Sequence, residues 1–155
     1  MTKAQVFEEM VSVFQLSPDQ IDSYLSESFD EVNLEENEQI IDGKCLKSST
    51  YFVNSKSWQE KGTLILSVFN GELFSCQFST TADFDFNEIL DYAISNHGFV
   101  FQKEEILPLW SMTIFRKEGY LLSCSTGALN KLQLSKVELF GEKIVEMTIM
   151  PPSPS

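Results

Sequence analysis

TLILSVFNGELFSCQFS, residues Thr63 to Ser79, is the stretch that decides the fold of this chain. Two apolar runs flank Asn70-Gly71, the pair preferred by a two-residue type I′ turn because both central residues need positive φ. A hairpin closed there sets Phe69 opposite Glu72, Val68 opposite Leu73, Ser67 opposite Phe74 and Ile65 opposite Cys76. One face then carries Leu64, Leu66, Val68 and Leu73. The other carries Ile65, Phe69, Phe74, Cys76 and Phe78. A strand with one wet face alternates, and Leu64-Ile65-Leu66 does not. The first strand is therefore expected at the centre of a sheet, covered on both sides.

Upstream, residues 44–53 end in the β-favouring Thr50-Tyr51-Phe52-Val53 and predict a further strand, joined to the hairpin by a polar loop around Trp58. The amino-terminal part is helical in pattern. Thr2 is placed to cap a first helix, with Phe7, Met10, Val11 and Phe14 on one face. Ser17-Pro18-Asp19-Gln20 opens a second: Ser as N-cap, Pro at N1, and Gln at N3 closing a capping box. That helix should run to about Glu27, burying Ile21, Tyr24 and Leu25. Between the helices and the first strand lies SFDEVNLEENEQIIDG, residues 28–43, with no basic residue and apolar side chains too irregularly spaced for a helix or a strand. It is expected to be a solvated acidic connection.

Downstream, Asp85 as N-cap, Glu88 at N3 and Phe84 stapling onto Ile89 predict a helix over residues 85–97 that buries Leu90, Ala93 and Ile94 and ends at His97-Gly98. The remainder reads as strands. Residues 98–102 make a short one. Residues 110–117 and 120–125 form a hairpin around Glu118-Gly119, with Trp110, Met112 and Ile114 facing the core. Residues 132–140 and 143–150 form another hairpin around Gly141-Glu142. Residues 151–155, PPSPS, are expected to be a frayed, disordered tail.

The expected fold is thus α+β: two amino-terminal helices packed on a mainly antiparallel, curved sheet of seven or eight strands, with one further inserted helix. One domain spans residues 1–150. A second copy covering the open face of the sheet is an alternative to curvature, and the sequence does not choose between them.

Charge is the most informative feature of the composition. The net charge is −12, and eleven of the twenty-three carboxylates fall within residues 1–42 against Lys3 alone. The chain carries three well-separated cysteines and one histidine, so no zinc-ligand spacing exists. Cys76 and Cys124 fall inside strands, as small buried hydrophobes do. No stretch approaches the roughly 20 apolar residues of a membrane span, and no apolar run of signal-peptide type opens the chain, which makes a reducing, cytoplasmic location the expectation.

No phosphate-binding loop, nucleophile elbow or zinc-protease motif occurs, and no cofactor is implied. His97 stands where a helix end favours histidine. Asp83, Asp85, Glu104 and Glu105 match no metal-loop pattern. Scattered basic residues disfavour direct nucleic-acid binding. The chain is not expected to be an enzyme.

What remains is a binding protein for a basic protein partner, since a concentrated negative charge speeds and orients association with a cationic surface. A small acidic α+β protein without catalytic motifs resembles the functional class of bacterial immunity proteins and antitoxins, which mask a toxin such as a nuclease. That resemblance implies a partner-binding role for Asp30, Glu31, Glu35, Glu36, Glu38 and Asp42, with Trp58 as an aromatic anchor. Type III secretion chaperones are similar in being small, acidic, α+β and usually dimeric, but they commonly end in a helix and this chain is expected to end in strands. A small-ligand-binding domain or small enzyme with a pocket in the curved sheet is the alternative of another class.

Overall fold

A computed structural model describes residues 3–28, 32–41, 43–54, 63–69, 72–80, 86–127 and 130–137. In chain order these form α1 (Lys3–Val13), α2 (Pro18–Ser28), β1 (Val32–Ile41), β2 (Lys44–Asn54), β3 (Thr63–Phe69), β4 (Glu72–Thr80), α3 (Asn87–His97), β5 (Val100–Ile106), β6 (Trp110–Lys117), β7 (Tyr120–Gly127) and β8 (Asn130–Lys136). The fold is α+β. The strands make one antiparallel sheet of eight in the order β1-β2-β3-β4-β8-β7-β6-β5. The chain meanders from β1 to β4, leaves through α3 for the far edge, and meanders back until β8 pairs with β4. The sheet is open, with β1 and β5 at its two edges.

The β3–β4 pair forms as expected near its turn, with Phe69 opposite Glu72 and Val68 opposite Leu73. Beyond that the register differs. Ser67 faces Ser75, Leu66 faces Cys76 and Leu64 faces Phe78, because the ladder shifts between Ser67 and Val68. Phe74 is the extra residue of this bulge. In strict register Ser75 and Gln77 would lie beside Leu66 and Leu64, under the helices. The bulge exchanges them for Cys76 and Phe78, which join Leu64, Leu66, Val68 and Leu73 in one cluster while Phe74 is buried outside it. Burying a large apolar side chain is worth about 1.5–3 kcal/mol, enough to override a regular ladder.

That cluster is the helix-side core. Val6, Phe7, Met10, Val13 and Phe14 of α1 and its end, Ile21 and Leu25 of α2, and Ile89, Leu90 and Ala93 of α3 pack onto the β3, β4, β7 and β8 side chains. Ile94, expected in the buried stripe, is exposed. The start of α2 keeps half of its capping box, with the Ser17 N–H donating to Gln20 Oε1 at 2.9 Å. The start of α3 differs. Its N-cap is Phe86, without a side-chain cap, and Phe84 and Asp85 lie outside the described residues. Its end is as expected, with Gly98 at φ 75°, a conformation that costs glycine nothing.

The central strands are covered on both faces. In β7 every residue from Leu121 to Ser125 is buried, and in β8 every residue from Leu132 to Ser135. The face turned from the helices mixes Met112, Ile114 and Leu121 with Ser75, Ser79, Ser123, Ser125, Gln133 and Ser135, all buried. Trp110, on the same side of β6, is half-buried. The first strand of the central hairpin is covered less evenly, with Leu64 and Leu66 buried and Ile65 only half-buried.

On the polar face Gln133 donates its side-chain amide to Ser135 Oγ at 2.9 Å and Gln77 donates to Ser79 Oγ at 2.7 Å. Ser123 Oγ and Ser125 Oγ are buried and have no partner among the described residues. Two serines one strand apart should therefore respond in opposite directions. Ser123→Ala removes an unpaired buried hydroxyl and is expected to raise stability by up to about 1 kcal/mol, whereas Ser135→Ala strands the Gln133 amide and should cost about 1–2 kcal/mol. Urea unfolding of the two variants checks both signs.

Three strands differ from expectation. Residues 32–41, expected to lie within a solvated connection, are a strand, since β1 pairs with β2 from Val32↔Val53 to Ile41↔Lys44. β5 continues to Ile106, so Glu104 and Glu105 lie in a strand rather than a loop. β8 starts at Asn130, before the expected 132, and lies between β4 and β7, while the strand expected over 143–150 lies outside the described residues. Residues 138–155 lie outside the described residues.

Candidate functional site

The acidic end of the chain is sorted by the fold into two groups of carboxylates. The first is bonded to other parts of the fold. Glu8 Oε1 accepts the Tyr92 hydroxyl at 2.6 Å and meets His97 Nε2 at 2.5 Å, fastening α1 to α3. Glu9, one residue on, accepts the Tyr24 hydroxyl and fastens α1 to α2. Asp22 accepts the Tyr51 hydroxyl at 3.2 Å and ties α2 to β2. The bonds from Tyr92 and then His97 hold the Glu8 carboxyl below its usual range. Burial, and then the Glu9 bond, push the Tyr24 phenol up, and burial followed by Asp22 does the same for Tyr51. His97 is therefore a partner of Glu8 rather than a free cap on helix carbonyls.

A carboxyl held low by folding stabilises the fold wherever it is ionised in both states. That contribution is complete above the ordinary value of 4.5 and is lost as pH falls below it towards the lowered value. Glu8→Gln is expected to lower the melting temperature at pH 7, by a difference that shrinks as pH falls below 4.5. Thermal unfolding across that range checks the convergence.

The second group is exposed. Glu35, Glu36 and Glu38 stand on β1, exposed to solvent. Strand alternation puts Glu36 and Glu38 on one face with Val32, Leu34 and Ile40, and Glu35 on the other. The three apolar neighbours are exposed as well, Ile40 by 79%. β1 is the edge of the sheet, and no described strand takes its outer side. Asp30, Glu31, Asp42 and Trp58 lie outside the described residues, so of the expected partner-binding residues the structure places three, and places them on one strand.

The signal that could have revealed β1 is Asp42-Gly43. Asp-Gly between apolar residues is a hairpin turn pair as Asn-Gly is. Gly43 takes φ 78° at the start of β2, where it serves that turn. The first group had no such signal, because Glu8 and its partners are 84 and 89 residues apart in sequence.

Other candidates for chemistry are not assembled. Among the described residues no group of three His, Cys, Asp or Glu side chains could hold a metal ion. Cys76 and Cys124 are buried and in no disulfide, and burial pushes the Cys76 thiol well up, away from the reactive thiolate. Glu105 reaches Lys103 at 3.8 Å. Asp83 and Asp85 lie outside the described residues. No described helix is long and apolar enough to cross a membrane. Compared with known proteins, the chain matches no family model, no curated protein and no solved structure.

Proposed function

We propose that this chain is an acidic binding protein that neutralises or escorts a basic protein partner, most concretely an immunity protein or antitoxin that masks a toxin such as a nuclease, and that β1 is where the partner docks. One observation carries this reading: Glu35, Glu36 and Glu38 project from an edge strand whose outer side no described strand pairs. An edge strand presents a row of backbone donors and acceptors to which an extended segment can add as a further strand. Carboxylates alternating to both faces of that edge select Lys and Arg in the added segment. The exposed Val32, Leu34 and Ile40 supply apolar contact between the charges. The carboxylates bonded to Tyr24, Tyr51 and Tyr92 hold the helices in place and contribute only at long range, where salt screens them beyond about 8 Å at physiological ionic strength.

The test begins with the tagged chain as bait in its native lysate at low salt, eluted by a salt gradient. The expected product is one stoichiometric basic protein released at high salt, and its nuclease or other toxic activity should fall when the chain is added back. A captured protein that is acidic, or whose association at low salt is unchanged by neutralising the three β1 glutamates, would overturn the assignment.

A further inference from the structure

Where the β6–β7 hairpin meets the ends of α1 and α3, the structure holds a cleft of about 190 Å³. Its floor is apolar, with Phe14, Phe99 and Leu134 all buried. Its rim is polar, with Lys117 and Gln15 exposed and Tyr120 half-buried. The Lys117 ammonium stands 5.8 Å above the Phe99 ring, and the Lys136 ammonium 5.8 Å above the Phe14 ring. Lys136 also lies 3.9 Å from Glu72, whereas no described carboxylate pairs with Lys117. On a chain of net charge −12 this is a cationic corner over an aromatic floor.

We propose that this cleft binds a small organic acid with a ring-sized apolar body, the body resting on Phe14, Phe99 and Leu134 and the carboxylate on Lys117. The size fits, since a cavity of about 150 Å³ already accepts a benzene ring. The composition fits too, because small-molecule pockets combine apolar walls with a few polar groups that fix orientation. Those polar groups are donors: the Lys117 ammonium, the Tyr120 hydroxyl and the Gln15 amide. Glu8, which contacts the lining residue His97, is already engaged by Tyr92 and His97, and a cationic ligand would meet the Lys117 ammonium. Helix carbonyl ends repel anions, but here they are occupied. Val11, Ser12 and Val13 accept the N–H groups of Phe14, Gln15 and Leu16, and Ala93 accepts that of Phe99. The cleft involves none of the β1 glutamates, so this site stands independently of the proposed partner surface.

The experiment is an NMR titration of the full chain with phenylacetate, with phenylacetamide as the neutral probe of the same shape. Phenylacetate should shift Phe14, Phe99 and Tyr120 saturably, with a dissociation constant in the roughly millimolar range or better for so small a ligand. Phenylacetamide should bind about tenfold more weakly, and Lys117→Met, which keeps the side-chain stem and removes the charge, should abolish that difference. Lys117 is exposed, so an unchanged spectrum away from the cleft verifies that the variant folds. Three results would each overturn the proposal: no saturable shift at these residues up to about 20 mM, equal affinity for acid and amide, or an unaltered preference in Lys117→Met.

Discussion

Phe7→Ala is expected to lower the free energy of unfolding by about 3–5 kcal/mol, the range for deleting a fully buried phenylalanine ring. The ring has no solvent exposure. It meets Tyr92 and His97 of α3 and Phe99 just beyond it edge-on, at centroid distances of 6.2, 5.0 and 6.0 Å. Such contacts add about 0.5–1.5 kcal/mol to what area burial alone provides. They also link α1 to the stretch from α3 to Phe99, which only tertiary structure brings together, so the cavity lies between packed elements that cannot fully close on it. The Glu8–His97 bond sits on the same ring, and its loss should follow. Phe101→Ala is the internal comparison. Phe101 is 59% exposed on the β5 edge and has an edge contact with Phe115, so it should cost no more than about 1 kcal/mol. Denaturant unfolding of both variants measures the difference, and similar costs would contradict the placement of α1 over α3.

Neutralising Glu35, Glu36 and Glu38 together to Gln is expected to slow association with the captured basic partner by about tenfold at 20 mM salt and by less than about twofold at 500 mM. The range follows from electrostatic steering, which raises on-rates by about 10–10³ and fades as the Debye length falls from about 30 Å at 0.01 M to about 3 Å at 1 M. The dissociation rate should respond as well, because these side chains flank the proposed docking edge. All three are exposed, so the variant's stability should stay within about 0.5 kcal/mol of the parent. Stopped-flow association at the two salt concentrations distinguishes this from a general loss of charge: Asp19→Asn and Glu27→Gln, exposed on α2, should have a smaller effect. An equal loss at both salts would argue that the glutamates act by shape and not by charge.

Helices α1 and α2 were legible because an amphipathic helix records its buried face locally, in spacings of three and four residues, and Gln20 does cap Ser17. The hairpin pairings Phe69↔Glu72 and Lys117↔Tyr120 were legible for a similar reason, since the signal for a close chain reversal lies in a few adjacent residues. The bulge at Phe74 was half legible. The alternation of Ser75 and Gln77 with Cys76 and Phe78 shows that two polar residues need a different face from two apolar ones. It does not say on which side the helices lie, and without that the regular register looks as good. β1 was missed because strand alternation is a signature of burial on one face. Val32, Leu34, Glu36, Glu38 and Ile40 lie at the sheet edge where both faces are wet, so burial imposes no pattern on them.

By itself the sequence determined the fold class, the helices, two of the hairpin pairings and the concentration of negative charge in the first 42 residues, since all of these are local in the chain or additive over it. Tertiary structure decided which carboxylates stand on an edge strand and which bond a tyrosine, where β8 inserts, and that His97 and Lys117 share a cleft with Phe14 and Phe99. Each of these is a contact between segments far apart in sequence. A local pattern can say that a residue will be buried or exposed, but only the packed chain can say against what.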